Sequence, residues 1–179
     1  MPLLPGSVMR KTLLLLVPAL AVFAHVAQAK QQPRFDTKSL SERGQRAYQE
    51  LSEAKVFRLG GVGYAAETSE EERALRALLV EDAAVKALES LVDEGSPEGG
   101  LYGLVGLRQK DMAAFRRAYG RYVAKEEPPE RPSFAEGLRT PKGKVATQAG
   151  CIGMTADRKL VAGMIDFGHF DELLKRGID

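Results

Sequence analysis

The sequence contains no tryptophan, a single cysteine and only two histidines. A lone cysteine forms no internal disulfide, so a folded unit here must be held by packing alone. Cys151 and His169, with His25 near the start, cannot assemble a usual zinc site, and there is no D-x-D-x-D-G calcium loop. The lack of tryptophan weakens a carbohydrate-stacking site, and the serine-hydrolase pattern G-x-S-x-G is missing. A dominant charge is missing as well: 26 Lys and Arg stand against 24 Asp and Glu.

What is present begins with a sorting pattern. Arg10 and Lys11 precede an apolar run from Leu13 to Ala24, and Ala27-Gln28-Ala29 follows with small residues at the positions a signal peptidase reads. That order predicts a secretory signal peptide over residues 1–29, hence export to the periplasm or the extracellular space. The alternative is an uncleaved anchor, for which the run is short against a hydrocarbon layer of ~30 Å. Cleavage removes Arg10 and Lys11 and no acid, which leaves a formally neutral chain with no membrane span. Neutrality, and the want of a basic run interleaved with aromatics, argue against a nucleic-acid partner.

Residues 30–179 read as one domain of ordinary size, able to bury about two-thirds of its unfolded surface. Residues 30–38 are polar and aperiodic, a flexible leader. From 39 to 125 the pattern is helical. Ser39 and Glu42 suggest a capping box, followed by Ala47, Leu51 and Ala54 on one face, with the helix reaching Phe57. Ser69 with Glu70-Glu71-Glu72 opens a second helix and Asp82 a third, which Gly95 ends in a left-handed turn. Ser96-Pro97 starts a fourth with Gly100, Gly103 and Gly106 three apart, a row whose helical cost implies close approach of a neighbouring backbone. Asp111 caps a fifth, with Met112, Phe115, Tyr119 and Tyr122 facing inward. The spacing of the Asp82 and Asp111 caps faintly suggests helical hairpins, though two units are too few for a solenoid.

Residues 126–144 form a Pro-rich loop, and residues 145–179 belong to the same domain as a strand (Val145–Met154) and a short helix around Leu160, Val161, Met164 and Ile165, stopped by Gly168. Asp171 caps a last turn. The predicted fold is mainly α: a compact multi-helix, helical-hairpin domain with a small C-terminal strand-plus-helix addition.

Three stretches could carry chemistry. Gly61-Val62-Gly63-Tyr64-Ala65-Ala66 matches G-x-G-x-x-A, but that fingerprint needs a strand before it and a helix on its last small residues. Here a helix precedes and the next cap comes late, so a glycine-rich connection is preferred and no cofactor is assigned. Cys151 with His169 and Asp171 or Asp166 would make a formal Cys-His-Asp set, against the alternatives of a buried small hydrophobe or an intermolecular Cys151 disulfide joining a dimer. Tyr102, Phe115, Tyr119 and Tyr122 read as core before interface.

The combination GGVG (60–63), SEEERALRALL (69–79), LYGLVGL (101–107), D-x-x-x-F (Asp111 to Phe115) and AGC (149–151) resembles a loose group of uncharacterised exported bacterial proteins. The resemblance spans most of residues 30–179. It implies one exported folded unit that includes the VATQAGC stretch, and implies no activity, cofactor or partner. The expected role is a non-catalytic binding or structural module of the cell envelope, meeting another envelope or secreted protein. The rival expectation is a small cysteine-dependent enzyme using Cys151 and His169.

Overall fold

The computed structural model describes residues 35–62, 67–133, 138–149 and 151–175. The signal-peptide reading of residues 1–29, the leader as far as residue 34, and residues 63–66 of the G-x-G-x-x-A stretch lie outside the described residues. The fold is mainly helical. Its elements run α1 (Glu42–Ser52), β1 (Gly61–Val62), β2 (Glu67–Thr68), α2 (Glu70–Leu79), α3 (Ala84–Glu94), α4 (Pro97–Lys110), α5 (Met112–Ala124), β3 (Arg131–Pro132), β4 (Arg139–Thr140), β5 (Lys144–Ala149), β6 (Ile152–Asp157), α6 (Arg158–Asp166) and α7 (Asp171–Lys175). The strands form three antiparallel pairs, β1–β2, β3–β4 and β5–β6. No helix among the described residues is long and apolar enough to cross a membrane.

Helix α4 is the axis. The Ser96 side chain accepts the Gly99 amide at 2.9 Å and donates to the Ala54 carbonyl at 2.7 Å, while Pro97 fills the first turn. Every residue from Glu98 to Leu107 is buried, so this helix is enclosed on all sides by α1, α2, α3, α5, α6 and β5. An amphipathic stripe cannot do that, and the glycines explain how it is done. A Cβ at Gly103 would lie 2.7 Å from the Leu88 carbonyl oxygen and 2.8 Å from Val92 Cγ2. The α3 backbone therefore packs against α4 at a distance that only glycine allows, as the glycine row implied.

The remaining helices carry one-sided patterns that meet this axis. Ser69 accepts the Glu72 amide at 3.1 Å and starts α2; Asp111 accepts the Ala113 and Ala114 amides and starts α5. The buried face of α5 is Ala114, Phe115, Ala118 and Tyr122, so the core includes two small residues and leaves Met112 at 42% exposure. Met112 sits in the first turn, where the stripe has not yet turned toward α4. Tyr119 is half-buried against the cluster.

Several local boundaries differ from the sequence reading. Ser41, not Ser39, caps α1 by accepting the Gly44 amide; Ser39 belongs to a 3-10 turn, Thr37–Ser39, capped by Asp36. The end of the expected leader is thus folded, and Phe35 stacks on Tyr48 with centroids 5.5 Å apart. Helix α1 ends at Ser52, because the segment to Gly60 is drawn off the helical path by tertiary hydrogen bonds. Asp82 caps nothing: α3 starts behind Ala83 with no side-chain acceptor. Gly95 is extended (φ −69°, ψ 171°), since the chain turns straight into the Ser96 cap. Leu160 points outward at 63% exposure; α6 buries Val161, Ala162 and Ile165. Inside residues 126–144 lies the short β3–β4 pair, and the expected single strand is a β5–β6 hairpin.

Four helix C-termini are closed by cations from other elements. Lys125 Nζ donates to the Val92 and Asp93 carbonyls of α3; Arg158 donates to the Tyr122 and Lys125 carbonyls at 2.8 Å each, closing α5. Arg108 reaches Asp166 O at the end of α6, and Arg76 reaches Leu173 O and Leu174 O of α7. Each satisfies orphan carbonyls and complements the negative end of a helix dipole.

The close approach at Gly103 makes a direct prediction for urea denaturation. Gly103→Ala should lower the unfolding free energy by about 1–3 kcal/mol through overpacking. Gly120→Ala, in α5 with open space around an added Cβ, should raise it by about 0.5–1 kcal/mol.

Candidate functional site

The glycine-rich turn is a structural junction. Arg58 Nε and Nη2 grip the Glu71 carboxylate at 2.7 and 2.9 Å, and Glu72 Oε2 accepts the Gly60 amide at 2.8 Å. The buried Tyr102 hydroxyl accepts the Arg58 amide at 2.8 Å and donates to the Arg58 carbonyl at 3.0 Å. Burial holds that phenol far above its ordinary pKa. The β1–β2 pair then leads into α2, whose first turn holds Glu70, Glu71 and Glu72. A pyrophosphate at this helix start would meet three carboxylates, two of them already occupied by Arg58 and by Gly60 and Arg76. The same bonds account for Glu71 and Glu72 as a fastening of the turn.

The C-terminal hairpins present a different surface. Ala149 pairs with Ile152 at the end of the β5–β6 ladder, and Cys151 directly precedes β6. Cys151 is exposed and free. Beside it, Leu138, Met154, Arg139, Gln148 and Thr155 line a concavity of about 440 Å³. Its walls are soft and apolar at Leu138, Met154 and Cys151, with polar groups at the rim. Along β6 every residue except half-buried Ala156 is exposed, and among the described residues no strand pairs with its outer edge. Ile152 and Met154, two residues apart and hence on one face, are exposed by 65% and 50%; Leu138 is exposed by 62%. Sequence reasoning missed these three side chains. The available signal was the i, i+2 spacing of Ile152 and Met154, which reads equally well as a core face.

A second concavity, of about 480 Å³, runs along α1 between Thr37, Arg46, Tyr48 and Ser52. It is polar, and its most constrained member, Tyr48, is hydrogen-bonded to Ser90 at 2.8 Å.

The members of the formal triad occupy two places. Cys151 is at the hairpin tip, while His169 and Asp171 lie in the turn from α6 to α7. That turn follows a Schellman pattern: Gly168 has φ +81°, its amide donates to Ile165 O, and the His169 amide donates to Met164 O. Its geometry fixes the His169 backbone and leaves the ring exposed. Both Asp171 carboxylate oxygens accept from Arg108 Nε, at 3.0 and 3.2 Å, and Asp166 O accepts from the same guanidinium. Asp171 is thereby engaged with an arginine, and no hydrogen bond or ion pair joins it, or Asp166, to His169 or Cys151. Among the described residues no three His, Cys, Asp or Glu side chains come together in a set that could hold a metal ion. Of the aromatic stripe, Tyr102, Phe115 and Tyr122 are fully buried core.

Comparison with the models of known protein families, with curated protein sequences and with solved structures finds no match.

An exposed thiol at the end of the β5–β6 hairpin should react freely. Cys151 in the native protein should be alkylated by a maleimide within about tenfold of its rate in the denatured chain, as mass spectrometry can follow. Protection by a hundredfold or more would place the sulfur in an interior that the hairpin geometry does not provide.

Proposed function

We propose that the protein is an exported, non-catalytic binding module that meets another envelope or secreted protein through its C-terminal hairpins. One observation carries the reading: Leu138 and Met154 stand exposed in a groove, with exposed Ile152 two residues from Met154, and among the described residues the strand edge along β6 is open. Contiguous exposed apolar side chains on a folded protein mark contact surfaces, and an open edge offers main-chain hydrogen bonds to an incoming segment. The signal-like start of the sequence and its likeness to an exported group support the compartment.

A cysteine-dependent hydrolase using Cys151 and His169 is the second reading, and the exposed thiol lining the groove favours it. It requires a base within reach of Cys151, the role that His169 would take. A Cys151-bridged dimer is also compatible with a thiol at a hairpin tip, and its mass would halve under reducing agent.

The two readings separate in one paired experiment. Protein captured from an envelope fraction should retain a stoichiometric partner on the wild type, and Ile152→Lys with Met154→Glu should reduce it at least about tenfold, as loss of an interface centre does. Cys151→Ser should leave capture unchanged. No partner on the wild type, together with hydrolysis of ester substrates that Cys151→Ser abolishes, would reverse the order of the two readings.

A further inference from the structure

The most unusual polar group in the molecule is Glu98, in the first turn of α4. Its side chain is 1% exposed. Oε1 accepts the Ala146 amide of β5 at 2.8 Å and the Arg131 guanidinium of β3, and Arg131 also donates to the Lys144 carbonyl. One carboxyl oxygen thus gathers the start of α4, the β3–β4 pair and the β5–β6 hairpin. The other, Oε2, is buried and among the described residues meets no hydrogen-bond donor. Ala146 stays in register opposite Thr155, and its main-chain groups face the edge of β5 away from β6: its carbonyl accepts the Phe57 amide at 2.8 Å, and its amide goes to Glu98.

We propose that Glu98 is a pH-responsive latch that fastens the C-terminal hairpins to the helical body, tightening on acidification and loosening as the pH rises. The geometry supplies the reason. A buried oxygen without a donor costs more as part of a carboxylate than as part of a neutral carboxylic acid. When the hairpin lifts, water reaches Oε2 and the ionised form is stabilised. The open state therefore releases a proton that the docked state holds.

The surrounding charges decide how strongly this operates. Arg131 of β3 faces Glu98 directly and favours its ionised form. Tyr122 of α5 is kept a neutral phenol by burial, and its hydroxyl donates to Pro97 O at 2.6 Å. Arg158 of α6 lies over the Tyr122 ring at 4.8 Å, its charge spent on the α5 carbonyls. Lys125, held down in pKa by burial, is turned toward Val92 and Asp93. Desolvation raises the Glu98 pKa, opposed by the Ala146 amide, Arg131 and its own backbone amide, and the net direction is upward. With the docked pKa above the undocked one, the stabilisation is complete below the ordinary glutamate value and is lost as pH rises through the raised value. This inference concerns how the hairpins are held and is independent of what binds them.

The reporter is the Ala146 amide, followed by NMR hydrogen exchange in the whole protein between pH 5 and 8 and corrected for the intrinsic pH dependence of exchange. The Ala146 opening constant should rise with pH by up to about tenfold per unit at its steepest, the slope for one linked proton. It should be flat in Glu98→Gln. The Leu104 amide in mid-α4 should show no such rise, which separates hairpin opening from global unfolding. In the wild type the Glu98 13Cδ resonance should titrate above an ordinary glutamate. A midpoint at or below the ordinary value overturns the latch even if Glu98→Gln does not fold. So does an Ala146 profile identical in both proteins, or one matched by Leu104.

Discussion

A helix enclosed on every side must hide its backbone among neighbours without leaving any of their polar groups unmet. Helix α4 imposes that condition on the whole molecule. Ten consecutive residues, Glu98 to Leu107, are buried, so the helices around α4 have to approach as near as their own backbones allow. The glycine at 103 sets the approach of α3, and Leu101, Leu104 and Leu107 fill the space where the helices diverge. Dispersion and apolar burial at this density replace the covalent staples that a chain with one cysteine cannot have. The same enclosure explains why Tyr102 and Tyr122 keep their hydroxyls inside: each donates to a carbonyl, of Arg58 or Pro97, that the packing would otherwise strand.

How far this was readable depended on whether the deciding interaction was local. Ser69, Ser96 and Asp111 were legible as caps because a cap is a contact over two or three residues. Gly103 was legible as a site of close approach because three glycines in a helix demand a compensating contact, though which backbone came near was not. Ser39 failed as a cap: Ser41 competes for the same turn, and the Glu81 carboxylate holding Ser41 is remote in the chain. The end of α1 was misplaced for a like reason, since Glu71, Glu72 and Tyr102 pull residues 58–60 from a helical path at sequence separations of 12 to 44.

The candidate site was the least legible part. Glu98 has the sequence appearance of an exposed acid decorating a helix start, and only the arrival of Ala146 and Arg131 makes it an interior group. Ile152 and Met154 have the spacing of a core face and prove to be surface, because β6 has a partner strand on one side and, among the described residues, none on the other. Asp171, two residues from His169 in sequence, has its carboxylate engaged by the Arg108 guanidinium, a partner 63 residues away.

The cations that close the helices have a consequence for where the chain can be cut. Lys125 adds to the end of α3 and Arg158 to the end of α5, so each helix draws part of its closure from farther along the chain. A fragment stopping after α5 would keep five helices and most of the grease, yet lose the guanidinium that meets the Tyr122 and Lys125 carbonyls. The smallest autonomous piece of this protein is therefore defined by polar closure, and it includes the tail that oil alone would call dispensable.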